Sequence, residues 1–93
     1  MGKKFDKVPV EEDTKILVRQ EMKLGKYEVL YERWFWEGVY GESLIFANAD
    51  ISGMTDREIE REIRKSPLIK EGSEITLKRT KDFTFVNFNF ETP

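Results

Sequence analysis

Glu28 and Glu32 are the residues of this chain whose type and spacing come nearest to chemistry. Both fall on one side of an expected strand, next to Trp34. Paired carboxylates beside a large ring are what acid–base cleavage of a glycoside, or a hard-cation site, would use. Such a site needs a deep pocket, which a chain of 93 residues with a single helix is too short to enclose. The sequence has no cysteine and no histidine, so thiolate, imidazole and conventional zinc chemistry are absent, and Ser43, Ser52, Ser66 and Ser73 have no activating base. No catalytic residue, metal ligand or cofactor is assigned, and the expectation is a protein that is not an enzyme.

A second set is cationic. Arg57, Arg61 and Arg64 belong to an expected helix, and Lys78 and Arg79 to the last hairpin; together they could meet nucleic-acid phosphates. The competing fact is that Asp56, Glu58, Glu60 and Glu62 are interleaved with the arginines. Glu60 and Arg64 stand at i,i+4, the spacing of a self-paired surface helix. With sixteen basic and eighteen acidic side chains the net charge is -2, which argues against a bulk nucleic-acid binder and favours, weakly, a basic target.

The third set is aromatic. A Glu37-Gly38 turn would make Lys26 to Asp50 a hairpin in which Trp36 faces Val39, Trp34 faces Gly41, Arg33 faces Glu42 and Tyr31 faces Leu44. Alternation then separates a core face, with Tyr27, Val29, Tyr31, Phe35, Tyr40, Leu44 and Phe46, from a second face bearing Glu28, Leu30, Glu32, Trp34, Trp36 and Ile45. Two tryptophans on that face require a cover.

The remaining elements must position these groups. Lys15 to Lys23 is expected as a strand, with a helix capped by Asp13 as the competitor; a Leu24-Gly25 turn would put Ile16, Val18 and Met22 on the core face. Thr55-Asp56-Arg57-Glu58 fits a capping box, and the helix that follows buries only Ile59 and Ile63 before Pro67 stops it. Glu74 to Thr80 and Phe83 to Phe90 form the last hairpin around Lys81-Asp82. Its core face is Ile75, Leu77, Val86, Phe88 and Phe90, and its other face holds Phe83, Phe85, Asn87 and Asn89.

The expected fold is therefore a two-layer α+β sandwich: a mostly antiparallel five-stranded sheet, ordered β-β-β-α-β-β in sequence, with one helix on one face. Residues 1–13 form an arm, either loose or laid across the sheet through Phe5, Val8 and Val10, and residues 14–93 form the single domain. One helix is too narrow to cover five strands, so the arm or a second copy should complete the core face. No apolar run is long enough for a membrane span or a signal peptide, and Asp6 spoils a myristoylation signal, so a cytoplasm is expected, that of a bacterium or of an infected host cell.

The functional expectation is protein-protein contact through Trp34, Trp36, Phe83 and Phe85, with Glu28 and Glu32 as a polar rim that selects Lys or Arg. The partner is another protein or a second copy of the chain, with no membrane and no small-molecule substrate. Phage and mobile-element inhibitors of host defence proteins, anti-CRISPR proteins among them, match the chain in size and style alone, and no motif carries that likeness. Nucleic-acid binding and a self-contained homodimer are the alternatives.

Overall fold

Glu37 (φ 47°) and Gly38 (φ 81°) both adopt the left-handed conformation that a tight two-residue hairpin turn demands. That turn fixes the central register as the sequence predicts: Trp36 opposite Val39, Trp34 opposite Gly41, Arg33 opposite Glu42 and Tyr31 opposite Leu44. In the computed structural model, which describes residues 3–93, the strands are β1 (Thr14–Leu24), β2 (Tyr27–Trp36), β3 (Val39–Ala47), β4 (Thr76–Arg79) and β5 (Phe83–Glu91), and one helix, α1, spans Asp56–Arg64. The strands form one antiparallel sheet in the order β1-β2-β3-β5-β4. The fold is thus the expected two-layer α+β sandwich.

The helix begins at the capping box. The Glu58 amide donates to Thr55 Oγ1 at 3.1 Å and the Thr55 amide donates to Glu58 Oε1 at 2.8 Å. Ile59 and Ile63 are fully buried against Leu44, Phe46 and Phe88 of the sheet. Ile51 and Met54 before the helix, and Leu68 and Ile69 after it, widen this cover. They supply part of the cover expected of the arm or a second copy, while Val18 at the β1 end of the core face stays 42% exposed.

The arm covers the other face. A 3-10 turn at Lys3–Phe5 leads into a segment whose Phe5 and Val8 are buried against Leu30, Ile45 and Phe83. Val10 stays 49% exposed. Lys4 ties the arm down, its Nζ lying 2.5 Å from Asp50 Oδ2 and 3.3 Å from Glu28 Oε1.

Three details of register differ from expectation. The first hairpin turns at Gly25-Lys26, so Leu24 faces Tyr27, Met22 faces Val29 and Lys23 faces Glu28, which removes the Glu21–Glu28 clash of the expected pairing. A β-bulge between Ile16 and Val18 then reverses the alternation, so Ile16 faces Trp34 on the second face, while Val18 keeps to the core side. At the far end Asn89 (φ 54°) interrupts β5, and Phe90 moves off the core face to meet Trp34 edge-on at 6.1 Å. Asn89 itself turns toward the helix side and is buried. Its side chain donates to Leu68 O and Glu42 Oε2 and accepts from the Lys70 amide, which binds the loop after α1 to the sheet.

The Lys81-Asp82 turn forms in the expected register without a glycine. Asn48 stabilises it by donating to the carbonyls of Thr80 and Lys81.

Candidate functional site

The second face of the sheet is not an open aromatic plane. Its half nearest Phe83 is closed by Phe5 and Val8, and its other half is a groove of about 370 Å3 between Pro9-Val10-Glu11 on one side and Trp36 and Phe90 on the other. The floor is Ile16, Trp34 and Phe85, with Glu32, Ser43 and Asn87 below them.

The register explains this floor. Arg19 faces Glu32, Glu32 faces Ser43, Ser43 faces Asn87 and Asn87 faces Thr76, so one polar row crosses all five strands on the second face. Arg19 Nε donates to Glu32 Oε2 at 2.7 Å, and the guanidinium Nη2 contacts the same oxygen. Glu32 is only 3% exposed. Burial pushes its carboxyl above the usual range, and the Arg19 hydrogen bond and charge oppose that rise without cancelling it. Trp34 Nε1 donates to Ser43 Oγ at 2.7 Å, and Ser43 Oγ in turn donates to Asn87 Oδ1 at 2.5 Å. Every buried polar side-chain atom among the described residues has a partner. The row supports the apolar floor from below.

Of the aromatic residues expected to contact a partner, Trp36 is the freest, at 41% exposure. Trp34 is half-buried and forms the floor, and Phe85 lines the groove from β5. Phe83 is buried beneath the arm and cannot anchor a partner, because Phe5 stacks over it at a ring separation of 6.2 Å. The acidic rim also needs correcting. Glu32 is buried and bound to Arg19, so it cannot select a basic partner, whereas Glu28 stays exposed beside Lys4 at 3.3 Å. Exposed acids without an ion pair among the described residues flank the groove instead: Glu12 and Asp13 follow its Pro9-Val10-Glu11 wall, Glu37 follows Trp36 and Glu91 follows Phe90.

Of the five cations, Arg57, Arg61, Arg64 and Arg79 lie on the helix side of the sheet and Lys78 on the other. Lys78 points to the groove side and binds Glu11 at 2.6 Å, whereas Arg79 binds Asp56 at the helix start, its Nε 2.9 Å from Oδ1. Arg64 pairs with Glu60 at 3.0 Å. Arg57 and Arg61 are exposed on α1. Arg33 and Glu42 stand opposite each other but have other partners: Glu42 accepts from the Tyr31 hydroxyl at 2.9 Å and from Asn89, while Arg33 lies over the Tyr40 ring.

Sequence reasoning missed Arg19, Ser43, Asn87, Ile16 and Phe90 as parts of the site. No group of acids among the described residues is arranged to hold a metal ion, and no helix is long and apolar enough to cross a membrane. Comparison with protein-family models, curated proteins and solved structures finds no match to this chain.

Proposed function

We propose that this protein is a non-enzymatic cytoplasmic binding module that receives a segment of another protein in the groove of its second sheet face. The observation that carries this reading is the groove itself, rimmed by Val10, Trp36 and Phe90, each 40% or more exposed, over a floor held rigid by hydrogen bonds. Exposed large apolar groups around a concavity cost solvation free energy in the isolated chain and are relieved by a covering partner. A volume of about 370 Å3 lies at the small end of ligand cavities, so it suits a projecting side chain and its neighbours more than a flat protein surface. Glu12, Asp13, Glu37 and Glu91 give the rim a negative sign, which favours a segment carrying Lys or Arg beside its apolar anchor. The indole of Trp36 offers a face to such a cation.

Inhibition of a defence enzyme is one use such a module would serve. The test is affinity capture from a lysate with wild-type protein, Trp36→Ala and Glu28→Gln. A partner recovered by wild type and Glu28→Gln but lost with Trp36→Ala supports the groove; equal recovery by all three removes it.

A further inference from the structure

The first strand of the sheet order, β1, runs for eleven residues along an edge with no neighbouring strand among the described residues, whereas the opposite edge, β4, has only four residues. Residues 17–21 of β1 are all exposed, including Leu17 (43%) and Val18 (42%). A long edge with exposed apolar groups is a ready template for another strand. We propose that β1 pairs antiparallel with β1 of a second copy of this chain, about a twofold axis at Gln20, and so joins two sheets into one.

The register follows from geometry. Leu24 and Tyr27 close the two-residue turn as a hydrogen-bonded pair, so bonding toward β2 alternates back along the strand through Met22 and Gln20. The amides and carbonyls of Arg19, Glu21 and Lys23 therefore point away from β2, toward the open edge. Only registers that set these outward residues against one another can form a ladder. A register centred on Arg19 or on Glu21 places that charge against its own symmetry mate, which is unfavourable. One centred on Val18 brings the two Leu17 bulges together beside the axis. One centred on Met22 leaves Val18 uncovered and runs into the Gly25 turn. The register centred on Gln20 matches Arg19 of one copy with Glu21 of the other, twice. It also sets Val18 against Met22 on the core face, twice, and stays clear of both bulges. Arg19 would then lie between Glu32 of its own chain and Glu21 of the second copy.

Antiparallel pairing about this axis keeps the same sheet face of both copies on the same side. The dimer would present two grooves on one surface, one from each chain, and a partner with two binding segments would be held bivalently. This inference does not depend on what fills the groove.

Sedimentation of the full chain over a rising concentration series tests it, with Glu21→Pro, Glu21→Arg and Trp36→Ala. Proline at position 21 removes only an outward N–H, so the ladder to β2 survives. Arginine there opposes Arg19 with a like charge and leaves the backbone unchanged, which keeps the test decisive should the proline variant fail to fold. The expected result is a wild-type and Trp36→Ala mass twice the 11.0 kDa chain, and a single-chain mass for the folded Glu21 variants. A wild type that stays at single-chain mass up to millimolar concentration overturns the proposal. So does a folded Glu21→Arg chain that remains dimeric, or a dimer abolished by Trp36→Ala alone, which would place the contact in the groove.

Discussion

Trp34 lies across the backbone of its cross-strand partner Gly41, so closely that a Cβ on Gly41 would stand 2.8 Å from Cε2 of the indole. The glycine is needed here for space; its turn-forming freedom is not used. Because the indole can lie down, its Nε1 reaches Ser43 Oγ and its ring becomes the floor of the groove. Gly41→Ala should lift the ring, break the Trp34–Ser43–Asn87 chain and destabilise the fold by about 1–3 kcal/mol, the usual cost of overpacking. Urea unfolding measures the loss, and tryptophan emission should shift to the red. An alanine variant with unchanged emission would show that the indole does not rest on Gly41.

Glu32 gives the stability a pH dependence with a definite sign. Burial raises its carboxyl in the folded chain, so the folded state holds this proton more tightly than the unfolded state. Its contribution therefore declines as pH rises from the ordinary glutamate value of about 4.3 through the raised one. Glu32→Gln should remove that decline, so the variant gains on wild type between about pH 4 and pH 7, as read from urea midpoints. Arg19→Met acts the other way. It strands the buried carboxylate, and after discounting for the solvent-facing side of the guanidinium it should cost about 1–3 kcal/mol at neutral pH. If the stability difference between Glu32→Gln and wild type is the same at both pH values, Glu32 does not titrate as a buried group.

Much of this architecture is legible in the sequence because turns announce themselves. Glu37-Gly38 fixes the central register, Thr55 with Glu58 fixes the helix start, and both placements follow from local chemistry. The groove is less legible because two single-residue irregularities reverse the faces that alternation assigns. Nothing in Ile16-Leu17-Val18 marks a bulge, so Ile16 is expected on the core side and lands on the floor of the site. Asn89 did carry a sign, since asparagine tolerates positive φ, but the alternating Asn87-Phe88-Asn89-Phe90 pattern hides it. The central register carries part of the polar row: Glu32 faces Ser43, and glycine opposite Trp34 marks where a ring can lie flat. The arm gives no local signal, because what Phe5 and Val8 bury is remote in sequence.

The Tyr31 phenol is pushed up to about 12, by burial first and then by its hydrogen bond to Glu42 and that carboxylate's charge. Its neutral form is the one that donates to Glu42, so the folded state resists deprotonation more than the unfolded chain does. The resulting stability is complete below the ordinary tyrosine value of about 10 and is lost as pH rises from there to about 12. Phenolate absorbance of the folded protein should show one titration step near the upper value, absent in Tyr31→Phe. A wild-type titration with no such late step would mean that the hydroxyl does not reach Glu42.

Phe5 is the residue on which the shape of the second face depends. It is 4% exposed and stacks on Phe83, and with Val8 it seals Leu30 and Ile45 from water. Truncating a buried phenylalanine costs about 3–5 kcal/mol in a core that cannot relax. Here the arm can instead detach, so the loss is capped by the free energy of docking the arm, and about 3 kcal/mol or less is expected. Detachment would also remove the Pro9-Val10-Glu11 wall and leave the Trp34 floor open to solvent. Phe5→Ala should therefore bind a hydrophobic dye in its native state, and amides of residues 3–13 should exchange quickly while those of β3 and β5 stay protected. Unchanged protection of the arm in Phe5→Ala would show that Lys4, with its contacts to Asp50 and Glu28, holds the arm in place without the ring.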